Sequence, residues 1–302
     1  VTRKVTHMQT ASMNLSRRDA FRLAGAAAAT AALAPTAARA QEQTPKLKGR
    51  IRQSVTCWPL RKIPPADLCR QIKEMGMVGL DLVGDRNLWP VLKEHGLTAT
   101  MVPGAGGIKD GINNTARHPE FLKNFRENIA AAAKFGWKRV ITLAGDRKGI
   151  SDADGMAACV PILKEAVKIA ADHDVTICME LLNSKVDHPG YMCDRTAWGV
   201  ELCKRVESPR FKLLYDIYHM QIMEGDIIRT IRENIEYIGH FHTAGNPGRK
   251  DLDEDQELYY PAIMRTIAQL QEEGKFDGYV AHEFSPKNGM ESLRKAVQIC
   301  DV

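Results

Sequence analysis

Four apolar runs in the second half of the chain end on ionisable residues: Met179-Glu180-Leu181, Tyr215-Asp216-Ile217, Phe241-His242-Thr243 and His282-Glu283-Phe284. Brought to one point, three carboxylates would repel one another, and a compensating cation would be required to hold them together. A donor set of three carboxylates and one imidazole is mostly oxygen. It suits one divalent ion, Mn²⁺ or Mg²⁺ first, with Zn²⁺, Co²⁺ or Fe²⁺ also compatible. Each residue taken singly has a plainer reading, since a glutamate at a strand end is commonly solvated and a single histidine commonly structural. The argument for a site is the recurrence at equivalent places on four successive runs. His240 alternates with His242 and would face the same side of an extended chain. His242 is preferred because it lies nearer the end of its run.

The elements that must position these side chains alternate along the sequence. Strand candidates are 51–57, 78–83, 98–102, 139–143, 175–181, 211–216, 237–243 and 278–283. Between and after them lie segments of helical spacing at 66–75, 87–95, 119–135, 155–173, 196–207, 227–234, 261–273 and 289–299. Gly76, Gly96, Gly136 and Gly274 follow helix candidates as C-terminal stops, and Pro261 suits a first helical turn. Regular β–α alternation implies parallel strands joined by right-handed crossovers. Eight such units predict an α/β fold of the (β/α)8 TIM-barrel type in a single domain, with its active site at the C-terminal ends of the strands. An open doubly wound sheet is the competing arrangement. It would usually carry a glycine-rich phosphate loop after the first strand, where this chain has Cys57-Trp58-Pro59-Leu60.

The first forty residues read differently. Arg17-Arg18 precedes a small apolar run from Leu23 to Ala34, followed by Ala38-Arg39-Ala40. That order is the anatomy of an export signal of twin-arginine type, removed from the mature protein. It predicts a periplasmic or otherwise exported location, a polar tail over 41–49 and a catalytic domain over 50–302. Residues 1–40 hold six of the 42 basic side chains (Arg3, Lys4, Arg17, Arg18, Arg22, Arg39) and one of the 37 acidic ones (Asp19), which leaves 36 of each. A neutral mature domain lacks the electrostatic footprint of a nucleic-acid binder. It has no apolar stretch long enough to span a bilayer. The seven cysteines are irregularly spaced without a C-x-x-C pair, so a disulfide framework is not expected.

Several segments resemble the xylose isomerase-like TIM-barrel superfamily, and within it the hydroxypyruvate isomerase-like branch. They are Glu180-Leu181-Leu182-Asn183 with His188-Pro189-Gly190-Tyr191, the run from Tyr215 to Asp226, Ile238-Gly239-His240-Phe241-His242, Pro247-Gly248-Arg249, Glu257-Leu258-Tyr259-Tyr260-Pro261, and Gly278 to Glu283. The resemblance implies metal ligation by Glu180, Asp216, His242 and Glu283, and substrate contacts from Arg249 and His219. It implies an isomerase or epimerase acting on a small hydroxy-carbonyl compound, hydroxypyruvate or a ketose, by proton transfer through an enediolate, with Glu180 and Glu283 moving the proton. Gly245-Asn246 depart from the pattern where relatives often carry an acidic residue.

His188, after the fifth strand, and Trp58, after the first, are further candidates for substrate contact, Trp58 as an apolar wall; a structural role serves each equally well. Glu257 reads as a surface residue. Other readings of the same site are a lyase or hydrolase acting on 3-keto sugars or glycosides, a DNA-repair endonuclease, and a non-catalytic periplasmic sugar-binding protein. The neutral charge argues against the endonuclease. The oligomeric state is left open, a homo-oligomer included.

Overall fold

Runs that read as near-continuous apolar sequence become strands buried on both faces, as expected where helices cover a parallel sheet. A computed structural model describes residues 46–302; the export-signal segment and the start of the polar tail lie outside the described residues. The strands are β1 (Gln53–Thr56), β2 (Gly79–Asp81), β3 (Thr98–Ala99), β4 (Val102–Ala105), β5 (Arg139–Thr142), β6 (Thr176–Glu180), β7 (Phe211–Asp216), β8 (Ile238–Thr243) and β9 (Val280–His282). They form one parallel sheet in the order β3-β2-β1-β9-β8-β7-β6-β5-β4. β3 pairs with β2 and β4 with β5, and only Thr100 and Met101 separate β3 from β4. The third strand expected from the sequence is therefore bent, and its two halves close the barrel from opposite sides. The result is a single-domain TIM barrel.

The helices fall within a few residues of their expected places. His118–Phe135 stops at Gly136, whose φ of 78° is the left-handed conformation that favours glycine. Asp152–Asp172 starts at Ser151, whose hydroxyl accepts from the Asp154 amide at 3.1 Å. Pro261 sits in the first turn of Tyr260–Glu272. One helix was not foreseen: Ile217–Met223 begins directly after β7. No described helix is long and apolar enough to cross a membrane. Leu47, in the polar tail expected from sequence, packs against the core, and the Lys48 amide donates to the Asp301 carboxylate at 2.9 Å.

Two apolar clusters result. The larger lies between sheet and helices and includes Ile177, Met179, Leu213 and Phe241. The smaller fills the barrel with Met101, Cys178 and Leu214, overlain by Leu82 and Ile141. Along β7 and β8 the register shifts, pairing Leu213 with Ile238 but Leu214 with His240. Gly239 lies at the shift, where a Cβ would approach the Lys212 Cβ to 2.9 Å. Beyond it Asp216 stands opposite His242, so both side chains enter the barrel together.

Candidate active site

The ends of β6, β7, β8 and β9 bring Glu180, Asp216, His242 and Glu283 together, all buried. One ligating atom from each lies within 4.8 Å of the others. His242 Nδ1 is 2.6 Å from Glu283 Oε2, 3.2 Å from Glu180 Oε1 and 4.0 Å from Asp216 Oδ2. None of these four atoms makes a hydrogen bond of good geometry, and Glu283 Oε2 is ion-paired with Arg249 at 2.7 Å. Carboxylate and imidazole atoms crowded at one buried point without well-formed hydrogen bonds are costly, and a cation between them would remove much of the cost. Local chemistry prepares them. Asp216 Oδ1 caps the Ile217–Met223 helix, accepting from Tyr218 N at 2.9 Å and His219 N at 3.2 Å, which leaves Oδ2 for the site. Trp58 Nε1 donates to Glu283 Oε1 at 2.9 Å and leaves Oε2 inward. Tyr191 holds the end of β6, donating to the Glu180 carbonyl at 2.9 Å and accepting from Ala144 N at 3.0 Å.

A residue the sequence reading did not choose orients the histidine. Asp81, fully buried at the end of β2, accepts from His242 Nε2 at 3.1 Å through Oδ1. Its Oδ2 accepts from Thr100 Oγ1 at 2.8 Å and lies 2.9 Å from His240 Nε2. A carboxylate facing Nε2 keeps a proton there, so Nδ1 is the nitrogen a cation would meet on displacing its proton. Burial alone would raise the Asp81 pKa, but His240 and His242 outweigh it and hold the group ionised.

Charge at the cluster is out of balance. Burial and the neighbouring Glu283 raise the Glu180 pKa. Burial also raises that of Asp216, against the pull of Arg249. Glu283 is held low despite burial because His242 and Arg249 surround it. Burial opposes a charge on His242, yet Glu283 and the hydrogen bond to Asp81 push its pKa well above the usual value. With all four carboxylates Asp81, Glu180, Asp216 and Glu283 ionised, Arg249 and a protonated His242 would match only two of them; without a cation, the raised pKa values of Glu180 and Asp216 meet the difference by protonation. The donor chemistry and this deficit both fit a divalent cation.

Arg249 closes the site from the loop after β8, with Nη2 2.7 Å from Glu283 Oε2 and 3.6 Å from Asp216 Oδ2. It has a positive φ of 53° and follows the cis Asn246-Pro247 bond. The Ser285 amide donates to its carbonyl at 2.8 Å. His219 is fully buried, and its tautomer follows from its neighbours. Asn183 Oδ1 accepts from the amides of Val186 and Asp187 at 3.1 and 2.8 Å, which turns Nδ2 to donate to His219 Nδ1 at 2.6 Å. The ring proton therefore sits on Nε2, which has no partner and lies 3.6 Å from Asp216 Oδ2.

A family model described as the xylose isomerase-like TIM barrel matches residues 74–300. The chain belongs to this family. It is 32% identical over 204 residues to the 2-oxo-tetronate isomerase of Cupriavidus necator, covering 66% of this chain and 76% of that protein. It is 30% identical over 193 residues to the hydroxypyruvate isomerase of Escherichia coli, covering 62% and 72%. Among solved structures, the AP endonuclease, family 2, from Brucella melitensis matches with a TM-score of 0.72 at 26% identity, covering 80% of this chain and 96% of that one. The likeness to named isomerases over most of the chain makes the protein an isomerase.

Around the four clustered residues, this isomerase places the remaining candidates unevenly. Arg249 and His188 line the cavity above the cluster, and His188 Nε2 is buried without a partner. His219 lies beside Asp216. Trp58 stands at the site through its indole N–H, with the Arg249 guanidinium 5.9 Å from its ring. Glu257 is exposed and bonds Gln221 and Asn246. Asp81 follows the same rule of an ionisable strand end, but the apolar run continues to Val83 in sequence while the strand itself ends at Asp81.

Proposed function

We propose that this isomerase shifts a proton between adjacent carbons of a small hydroxy-carbonyl compound, hydroxypyruvate or a short ketose, at a divalent-ion site made by Glu180, Asp216, His242 and Glu283. The observation that carries the reading is the convergence of four buried ligating atoms beneath a cavity bounded by both glutamates and Arg249. A divalent ion held there supplies Lewis acidity to a carbonyl and its neighbouring hydroxyl. Glu180 and Glu283 come from β6 and the end of β9, with β7 and β8 between them, so they approach a substrate from different sides. One removes a proton from the hydroxyl-bearing carbon, and the other delivers one to the carbon alongside. Trp58 keeps the Glu283 carboxylate turned inward. Arg249 presents its planar fork to a substrate carboxylate. His219 presents Nε2–H to a substrate oxygen, and burial, with Arg249 nearby, keeps the ring neutral. Export by the twin-arginine route belongs to the same proposal, supported by the order of charged, apolar and small residues over 14–40.

The test is proton exchange with solvent. Hydroxypyruvate and ketoses incubated with the Mn²⁺-loaded protein in deuterium oxide take up deuterium at the reacting carbon, followed by proton NMR. Chelation stops the exchange and added Mn²⁺ restores it. Glu180→Gln and Glu283→Gln each slow it by at least about a hundredfold, the usual contribution of a positioned acid or base. Undiminished exchange in either variant, or after chelation, refutes the assignment. Net loss of water from the substrate makes the protein a lyase instead.

A further inference from the structure

The cavity above the carboxylate cluster has two unlike halves. It measures about 300 Å³, and Glu180, His188, Arg249 and Glu283 form one side. Leu82, Pro103, Ile108, Ile141, Leu143 and Leu182 form the other. None of these six side chains can donate or accept a hydrogen bond. They form a continuous arc: Leu82 follows β2, Pro103 lies in β4, Ile141 in β5 with Leu143 just beyond it, and Leu182 follows β6. The apolar character continues downward, since Leu82 and Ile141 pack on Met101, Cys178 and Leu214. The buried hydroxyls of Ser54 and Thr100 bond to each other at 2.9 Å, and Thr100 also bonds Asp81.

We infer that the far end of the substrate is hydrocarbon: a 2-keto-3-hydroxy acid with a short alkyl group on C3 rather than a polyhydroxylated chain. The inference rests on the proton-transfer reading above and narrows its substrate to alkyl-bearing relatives of hydroxypyruvate, setting the ketoses aside. The carboxylate and hydroxy-keto head meet Arg249 and the glutamates, and the alkyl group lies on the aliphatic arc. A hydroxyl at that end finds no side-chain partner on the arc, whereas a methyl group of the same size gains by covering apolar surface. The reaction balances within the molecule. The C3 proton is removed and C2 receives one, the C2 carbonyl becomes a hydroxyl, and the C3 hydroxyl becomes a carbonyl. No co-reactant is consumed.

The experiment compares two isosteres and a parent on the Mn²⁺-reconstituted protein: 3-hydroxy-2-oxopentanoate, 3,4-dihydroxy-2-oxobutanoate and hydroxypyruvate. The first two differ by a methyl group in place of a hydroxyl. The expected kcat/KM is at least about tenfold higher for the pentanoate, within the discrimination such pockets reach. Leu82→Asn places an amide in the arc. The φ of Leu82 is 50°, a left-handed region that asparagine tolerates well, so the backbone accepts the change. It is expected to narrow the preference at least fivefold. Ile141→Thr, β-branched like the residue it replaces, does the same should the first variant fail to fold. Equal use of the isosteres, preference for the dihydroxy acid, or an unchanged preference in folded variants overturns the inference. If hydroxypyruvate still turns over in that case, the proton-transfer reading stands. No turnover or exchange with any of the three overturns both.

Discussion

Replacing Asp81 tests whether a carboxylate that touches no substrate sets the metal affinity. In the wild type, Asp81 Oδ1 receives the His242 Nε2 proton at 3.1 Å in full burial, and Oδ2 faces Thr100 and His240. Carboxylates behind a ligating histidine typically contribute 10- to 100-fold in metal affinity, about 1.4 to 2.8 kcal/mol. Asp81→Asn can still turn its amide oxygen toward His242 and its NH₂ toward Thr100. The hydrogen bond survives without the charge, and the expected loss is at the lower end, about tenfold. Asp81→Ala leaves the His242 N–H buried without an acceptor, which costs about 1–3 kcal/mol. The expected loss is then about a hundredfold. Calorimetric titration of the metal-free proteins with Mn²⁺ at one pH gives the dissociation constants. Circular dichroism establishes that the fold is kept, and nitrogen-15 NMR of the histidine rings reports whether His242 stays protonated at Nε2. Wild-type affinity within twofold in both folded variants refutes the positioning role, and absence of Mn²⁺ binding by the wild type refutes the site itself.

Other outcomes follow from single contacts. Trp58→Phe removes the indole donor to Glu283 while keeping an aromatic ring, and is expected to lower kcat by about tenfold, the weight of one charge-assisted hydrogen bond; an unchanged kcat shows that Glu283 needs no such support. Arg249→Lys keeps the charge but loses the fork, so kcat/KM on a carboxylate substrate should fall by about 10- to 100-fold, with KM carrying most of the change. Burial, reinforced by Asp81, raises the Cys57 thiol to about 12. A raised pKa means less thiolate at pH 8, so alkylation of the native protein there should run about a thousandfold slower than for a free cysteine of pKa about 8.5; mass spectrometry of iodoacetamide-treated protein checks this. Trp89→Ala removes a fully buried ring packed edge-on to Phe135 and Trp137, and urea denaturation should show a loss of about 3–5 kcal/mol.

The β–α alternation, the four ionisable strand ends and the helix stops were all readable in the sequence, because each is a local property of period, capping or residue type. That is why Glu180, Asp216, His242 and Glu283 stand out in the sequence itself. Three features needed the tertiary structure. The bend at Thr100-Met101 comes from closing the barrel between β2 and β5, a demand no window along the chain contains. The role of Asp81 depends on a strand end lying across the barrel from His242, 161 residues away in sequence. The indole N–H of Trp58 finds Glu283 only because β1 and β9 are neighbours, a contact its residue type alone does not predict. Periodicity states which side of an element faces inward. Which inward groups meet depends on closure and register, and those are properties of the whole barrel.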